Sequence, residues 1–164
     1  MATMDPTEDT TKARGTSDGS VERERTVRYG IGLRLDRPFA ETVEAVRGAL
    51  AEQGFGVLTE IDVRTTMKTK LGVDVPAQVI LGACNPSLAH AALEVEPSLG
   101  LLLPCNVVVR EDPVGGTIVE AIEPNVLVTF TGNPALEPIA AEVSRRLSSA
   151  LAALADASAT EETR

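Results

Sequence analysis

Apolar residues recur along the chain at two spacings, which predict strands and helices in turn. Every second residue is apolar over 27–35 and again over 57–63, a pattern typical of half-buried strands. Between these strands, apolar residues at helical spacing over 39–50 predict a helix, and Gly54 marks its end. A further short helix or turn is predicted over 65–71. The first half of the chain therefore predicts the order β-α-β-α.

The second half of the chain begins with a continuously apolar segment, 79–83, which is typical of an interior strand covered on both faces. Pro86 suits the first turn of a helix that reaches about Val95, with Asn85 as the residue that caps it. The remaining predictions are an extended piece, three strands and a closing helix, over 99–103, 106–111, 117–122, 126–130 and 139–154.

This order of elements contains hairpin-like pairs of strands and is not a strict alternation of strand and helix. We therefore predict an α+β fold, a two-layer sandwich with a mostly antiparallel or mixed sheet of about five or six strands and helices on one face. The single domain is expected over 26–156. Two polar tails are expected to be disordered, because they have too few apolar side chains to offset the entropy lost on ordering. They cover residues 1–25, which are also acidic, and residues 157–164.

Composition narrows the possible partners. The chain has 164 residues and a net charge of -9, with 15 Lys and Arg against 24 Asp and Glu. Nucleic-acid binding needs clustered basic residues, so we expect none. No apolar stretch approaches the roughly 20 residues of a membrane span, and the start lacks the apolar core of a secretory signal. We expect a cytoplasmic protein without a membrane partner.

Two Cys-Asn pairs, Cys84-Asn85 and Cys105-Asn106, hold the only cysteines of the chain, and each borders an apolar run. The helix after Cys84 carries the chain away by about 15 Å. The residues before Cys105 can return it by about 25 Å when extended. The two pairs can therefore meet at one edge of the sheet and form a small site. Lys70, on a small positive spot, is a further candidate for contact with an anionic ligand.

Three roles for the cysteines remain open on these residues. Cys84 and Cys105, with His90 on the following helix, are weak candidates for a soft metal site, although their spacing matches no known motif. Cys84 at a helix N-terminus could instead be a reactive thiol, with Cys105 as its resolving partner. In the third role both are buried structural residues, with Asn85 a helix cap and Asn106 a turn residue.

Several stretches of the chain resemble the Cys-bearing branch of the family called domain of unknown function 302. The resemblance runs from Tyr29 to about Val128 and is carried by MKTKLGV, ILGACNP, LLLPCNV and IEPNVL. It implies a small α+β domain, often dimeric, without an assigned reaction. It also implies no obligatory thiol chemistry, because other branches of the family lack these cysteines.

Three functions follow as hypotheses. The first is a small-ligand or thiol-redox binding module with its site around Cys84, Asn85, Cys105 and Asn106. The second is a homodimeric interaction or scaffold protein, joined through an uncovered sheet face, in which the cysteines are structural. The third is an enzyme of unknown substrate with Cys84 as nucleophile, although no general base accompanies it. Whether the protein is an enzyme stays open, and no cofactor is implied.

Overall fold

A computed structural model describes residues 27–161. The predicted tail over 1–25 and the last three residues lie outside this range. The closing helix extends through Glu161, beyond the boundary at residue 156 that the sequence predicted.

Five strands form one antiparallel sheet. They are β1 (Gly30–Leu35), β2 (Gly56–Asp62), β3 (Gln78–Cys84), β4 (Cys105–Glu111) and β5 (Thr117–Ile122). Their order across the sheet is β1-β5-β4-β3-β2, and every neighbouring pair is antiparallel. The predicted α+β class is confirmed, as are the number of strands and the antiparallel pairing.

Five α-helices and two short 3₁₀ turns accompany the sheet. The helices are α1 (Phe39–Glu52), α2 (Val63–Leu71), α3 (Pro86–Val95), α4 (Asn125–Thr131) and α5 (Glu137–Glu161). The 3₁₀ turns are Pro97–Leu101 and Pro134–Leu136. The predicted helices before β2, after β2, after β3 and at the end of the domain are all confirmed.

The main core lies between one face of the sheet and the helices α1 and α5. Side chains alternate across a strand, so residues paired in register share a face. One such row crosses four strands and is buried: Leu33, Val119, Val109 and Val79. Leu50 of α1 and Leu147 of α5 belong to the same cluster. At about 25 cal/mol per Å² of apolar area removed from water, this layer is the main source of stability.

Two segments differ from the prediction. Residues 126–130 were expected as a strand because they are rich in Val, Thr and Phe, yet they belong to α4. Pro124 just before this helix and Gly132 just after it, at φ 63°, are the residues that favour a helix start and end. The piece expected to be extended over 99–103 begins instead with a 3₁₀ turn that Pro97 opens. In both places the flanking residues outweigh the strand propensity of the run.

Gly82, in the middle of β3, allows a close approach between the sheet and the loop before β4. A Cβ at this position would lie 2.7 Å from Cγ of Pro104 and would also clash with Oγ1 of Thr59. Since Pro104 immediately precedes Cys105, this packing helps to set where β4 begins. The requirement for glycine here is therefore steric.

Replacing Gly82 with alanine should lower the free energy of unfolding by about 2 kcal/mol, because the Pro104 ring must shift. Gly48, in the middle of α1, is the matched control, since a Cβ there meets no atom within 4 Å. Gly48→Ala should raise the free energy of unfolding by roughly 0.5 kcal/mol through helix propensity. Urea unfolding of both variants measures this difference, and equal stabilities would contradict the steric account.

Candidate ligand-binding site

The two cysteines come together at one end of the sheet. β3 ends at Cys84, and β4 begins at Cys105. In the antiparallel register Ala83 is paired with Cys105, so Cys84 lies one residue beyond the pair. Both cysteines are free thiols, with Cys84 half-buried and Cys105 buried. The pairing of β3 with β4 therefore brings Cys84 and Cys105 together, which the sequence allowed but did not require.

A small apolar cavity of about 40 Å³ lies where the two strands meet the helices, and both cysteines line it. Asn85, Leu88 and Ala89 contribute from the start of α3. The other lining side chains are apolar: Phe55, Ala83, Ala92, Leu99, Leu103, Pro124, Leu127, Leu136, Ile139, Ala140 and Val143. Apart from Asn85 and the two thiols, the lining therefore offers no polar side chain.

The far wall of the cavity is a second, smaller hydrophobic cluster. It consists of Ala92 from α3, Leu99 and Leu136 from the two 3₁₀ turns, and Leu127 from α4. Ile139 at the start of α5 packs against them. Two stretches of chain far apart in sequence, 92–99 and 127–139, thus close the cavity, and their apolar contacts determine its size.

Asn85 has a structural role at the mouth of the cavity. Its Oδ1 accepts a hydrogen bond from the backbone N–H of Leu88 at 3.2 Å, so it caps α3 as the sequence predicted. Its Nδ2 donates to the carbonyl oxygen of Gly54 at 3.0 Å, which ties the start of α3 to the turn before β2. The side chain is therefore held by two bonds from two different segments.

Arg146 of α5 contacts the same turn. Its Nη1 donates to the carbonyl oxygen of Gln53 at 3.3 Å. A Cβ built on Gly54 would lie 3.0 Å from Nδ2 of Asn85 and 3.3 Å from Nη1 of Arg146. The amide and the guanidinium therefore both lie close against Gly54 and leave little room for a side chain there.

The environment of the thiols favours their protonated forms. Burial raises the pKa of Cys105 from its ordinary value of 9.0 to about 11, and the neighbouring Cys84 adds to this rise. Burial also raises the pKa of Cys84. Reactive thiols have a lowered pKa, because the thiolate is the nucleophile and the metal ligand. At neutral pH both side chains are therefore uncharged and polarizable parts of an apolar wall.

The other predicted site residues lie outside the cavity lining. Asn106 is exposed on β4, where it is paired with Gly82, and is a strand residue where a turn residue was expected. Lys70 is exposed on α2. His90 is 73% exposed, with its Nδ1 3.9 Å from a carboxylate oxygen of Glu94. Within residues 27–161 no group of three or more Cys, His, Asp and Glu side chains is placed to hold a metal ion.

The sequence did not single out the side chains from α4 and α5 that line the cavity, or Arg146 beside Gly54. The closing helix was predicted over 139–154, and its first apolar residues, Ile139 and Val143, line the cavity. The α4 contribution could not be predicted, because the composition of 126–130 favours a strand. Pro124 and Gly132 are the signals that could have corrected this.

The fold and this site together define a class: a small α+β sandwich with an apolar, thiol-lined cavity at the end of its sheet. Residues 31–154 match the family model described as domain of unknown function DUF302. The chain therefore belongs to the DUF302 family, as the motifs indicated. None of the helices within residues 27–161 is long and apolar enough to cross a membrane.

A solved structure of this family has the same fold. It is the crystal structure of an uncharacterized conserved DUF302 protein from Bacillus stearothermophilus, which is 32% identical to this chain. The TM-score is 0.71, and the match covers 76% of this chain and 97% of the other. No curated protein matches the chain.

Burial of Cys105 predicts a loss of stability at high pH. A raised pKa in the folded state means that stability is complete below the unfolded pKa near 9 and falls as pH rises toward 11. We expect the free energy of unfolding to fall by about 2 kcal/mol between pH 8 and 10.5 because of this group. Urea unfolding of the protein and of Cys105→Ala measures it. The variant should lose less stability over the same interval, and parallel losses would contradict the assignment.

Proposed function

We propose that the protein binds a small ligand through an apolar group that enters the cavity beside Cys84 and Cys105. The observation that carries the proposal is one cavity that both thiols line, whose other lining side chains are apolar except for Asn85. Concave apolar sites with a few polar groups at their edge are the usual form of small-molecule sites. The two thiols supply polarizable surface for a neutral group.

The size of the cavity limits what can enter. A cavity holds one water-sized group for each 10–15 Å³ or so, so that 40 Å³ has room for about three. A short alkyl end fits this space, whereas an aromatic ring needs more. The remainder of the ligand would stay at the mouth, next to Asn85.

A ligand-binding role suits this site better than thiol chemistry. The raised pKa values of Cys84 and Cys105 disfavour the thiolate that a nucleophile or a redox pair requires. The single histidine of the chain, His90, is exposed and faces Glu94, so it is not placed as a general base for Cys84. We therefore assign the thiols to binding and packing.

Filling the cavity should abolish binding. Ala89 and Ala91 lie on α3 and are both half-buried, but only Ala89 lines the cavity. Each buried methylene contributes about 0.8 kcal/mol, so the loss of three buried groups should weaken 1-pentanol binding by tenfold or more in Ala89→Leu. Ala91→Leu should bind as the unchanged protein does.

Chemical-shift titration of the methyl groups of Ala89 and Ala92 with 1-pentanol measures the affinity of the unchanged protein. For the two leucine variants the shifts of Ala92 are followed. Absence of saturable shifts in the unchanged protein would refute the proposed function. Equal effects of the two substitutions would place the ligand elsewhere.

A second candidate function, homodimerisation, has one specific observation in its favour. Ile61, Ile80 and Val108 are paired across β2, β3 and β4 on the sheet face opposite the main core. Ile61 leaves 49% of its surface exposed, and the other two are half-buried. A second copy of the chain would bury this apolar row, and the ion pair between Arg110 and Glu120 on the same face would border it.

Ile61→Lys should weaken such a dimer by tenfold or more, because a buried unpaired charge is costly. Val114→Lys is the control, since Val114 is 84% exposed in the turn between β4 and β5. Light scattering coupled to size-exclusion chromatography measures the molar mass of both variants and of the unchanged protein. A monomeric unchanged protein at high micromolar concentration would refute the dimer.

A further inference from the structure

We infer that the ligand enters the cavity with a thioether end, a methylthio group whose sulfur accepts weak hydrogen bonds from the thiols of Cys84 and Cys105. This inference rests on the proposed function and adds the chemical class of the ligand. It depends on three features of the cavity: the free donors in its wall, the apolar character of the remaining wall, and its size.

The first feature is a pair of S–H groups that the protein does not use. Both cysteines are free, and both line the cavity. Among residues 27–161 neither thiol has a hydrogen-bond partner. Burial raises the pKa of both thiols, so each keeps its proton at neutral pH. A protonated thiol is a weak donor, so the cavity wall offers two such donors to a ligand.

The sheet places the two thiols close enough to contact one group of a ligand. Ala83 is paired with Cys105, and α-carbons of opposite residues on antiparallel strands are about 5 Å apart. Cys84 is the next residue along β3, so its α-carbon lies about 6 Å from that of Cys105. The thiol of Cys84 also contributes to the raised pKa of Cys105. Both S–H groups therefore belong to one small region of the wall.

The second feature is that the rest of the wall favours a weakly polar group. The Asn85 amide is already bonded at both ends, to the N–H of Leu88 and to the carbonyl oxygen of Gly54. A hydroxyl or an amide inside the cavity would lose its hydrogen bonds to water and gain only weak ones from the thiols. A thioether sulfur is itself a weak acceptor, so it loses little on leaving water. The donors and the acceptor are thus matched in strength.

The third feature is size. The cavity of 40 Å³ has room for about three water-sized groups, and a methyl, a sulfur and one methylene are three. Sulfur is also polarizable, which strengthens its contacts with the two thiols and the apolar side chains around them. A plain alkyl end fills the same space but leaves both S–H groups without an acceptor. The cavity therefore favours a thioether over an alkyl chain of equal length.

The test compares 3-(methylthio)-1-propanol with 1-pentanol, in which a methylene group replaces the sulfur. The thioether is the more soluble in water, so each affinity is divided by the partition coefficient of the same compound between hexane and water. After this correction the thioether should bind about threefold more tightly or better, which corresponds to a weak hydrogen bond. Chemical shifts of the Ala92 methyl group, which faces the cavity, measure both affinities.

Valine variants of the cysteines assign the preference to the S–H groups. Cys84→Val and Cys105→Val each remove one donor and keep apolar bulk, so each should lower the corrected preference, and the double variant should abolish it. Ile139→Val is the matched control, because it shortens an apolar side chain of the wall and leaves both thiols in place. It should change the two affinities by the same factor. Thermal unfolding checks that each variant is folded.

The S–H stretching band in the Raman spectrum gives a second measurement, on the unchanged protein. Hydrogen bonding lowers the frequency of this band. Saturation with 3-(methylthio)-1-propanol should therefore shift the band to lower frequency, whereas saturation with 1-pentanol should not. A band that stays in place when the thioether is bound would overturn the inference without any variant.

The outcomes separate this inference from the proposed function. If 1-pentanol binds and Ala89→Leu removes it, but the corrected affinities of the two compounds are equal, the thioether assignment is wrong and the apolar site stands. If the valine variants weaken both compounds by the same factor, the cysteines act through packing alone and the assignment is also wrong. If neither compound binds, both proposals fail.

Discussion

The pairing of β3 with β4 is the constraint on which the site depends. It places Ala83 opposite Cys105, and it brings the residue after Ala83, Cys84, to the same end of the sheet. A slip by one residue would reverse the faces of Val107 and Val109, whose side chains are 1% and 0% exposed in the main core. The burial of these valines therefore fixes the register, and the register fixes the position of both thiols. Sheet stability and site geometry have the same origin here.

The walls of the cavity come from segments whose positions are set by helix caps, helix ends and contacts in the two hydrophobic clusters, not by contacts with each other across the cavity. α3 is directed by its cap at Asn85, and α4 is ended by Gly132 at φ 63°. α5 spans both hydrophobic clusters, with Leu147 in the main core and Ile139 against the smaller one. Protein interiors are close-packed, so a space between such elements remains only where no side chain is long enough to fill it. Alanines at 89, 92 and 140 are the short side chains along this wall.

Much of the fold could be predicted from the sequence, because its strands and long helices have strong apolar periodicity. The capping role of Asn85 was also predictable, since a cap is a local interaction between residues three apart. The cavity was not, because its lining joins α3, α4 and α5 through contacts that no sequence spacing encodes. Arg146 shows the same limit, as its approach to Gly54 depends on how α5 crosses the turn before β2. Tyr29 belongs to the alternating run over 27–35 that predicted a strand, yet it is 65% exposed, because β1 begins one residue later, at Gly30.

The cap on α3 also limits how the start of this helix can interact with a negative charge. A helix N-terminus offers backbone N–H groups and a favourable dipole to negative charge. In this chain the N–H of Leu88 already donates to Asn85 Oδ1, and the N–H of Ala89 donates to the backbone oxygen of Asn85. Pro86 has no N–H to contribute. Asn85 and Pro86 therefore leave the first turn of α3 with fewer N–H groups for a negative charge. The residue that stabilises α3 thus also makes the N-terminus of this helix a weaker site for anions.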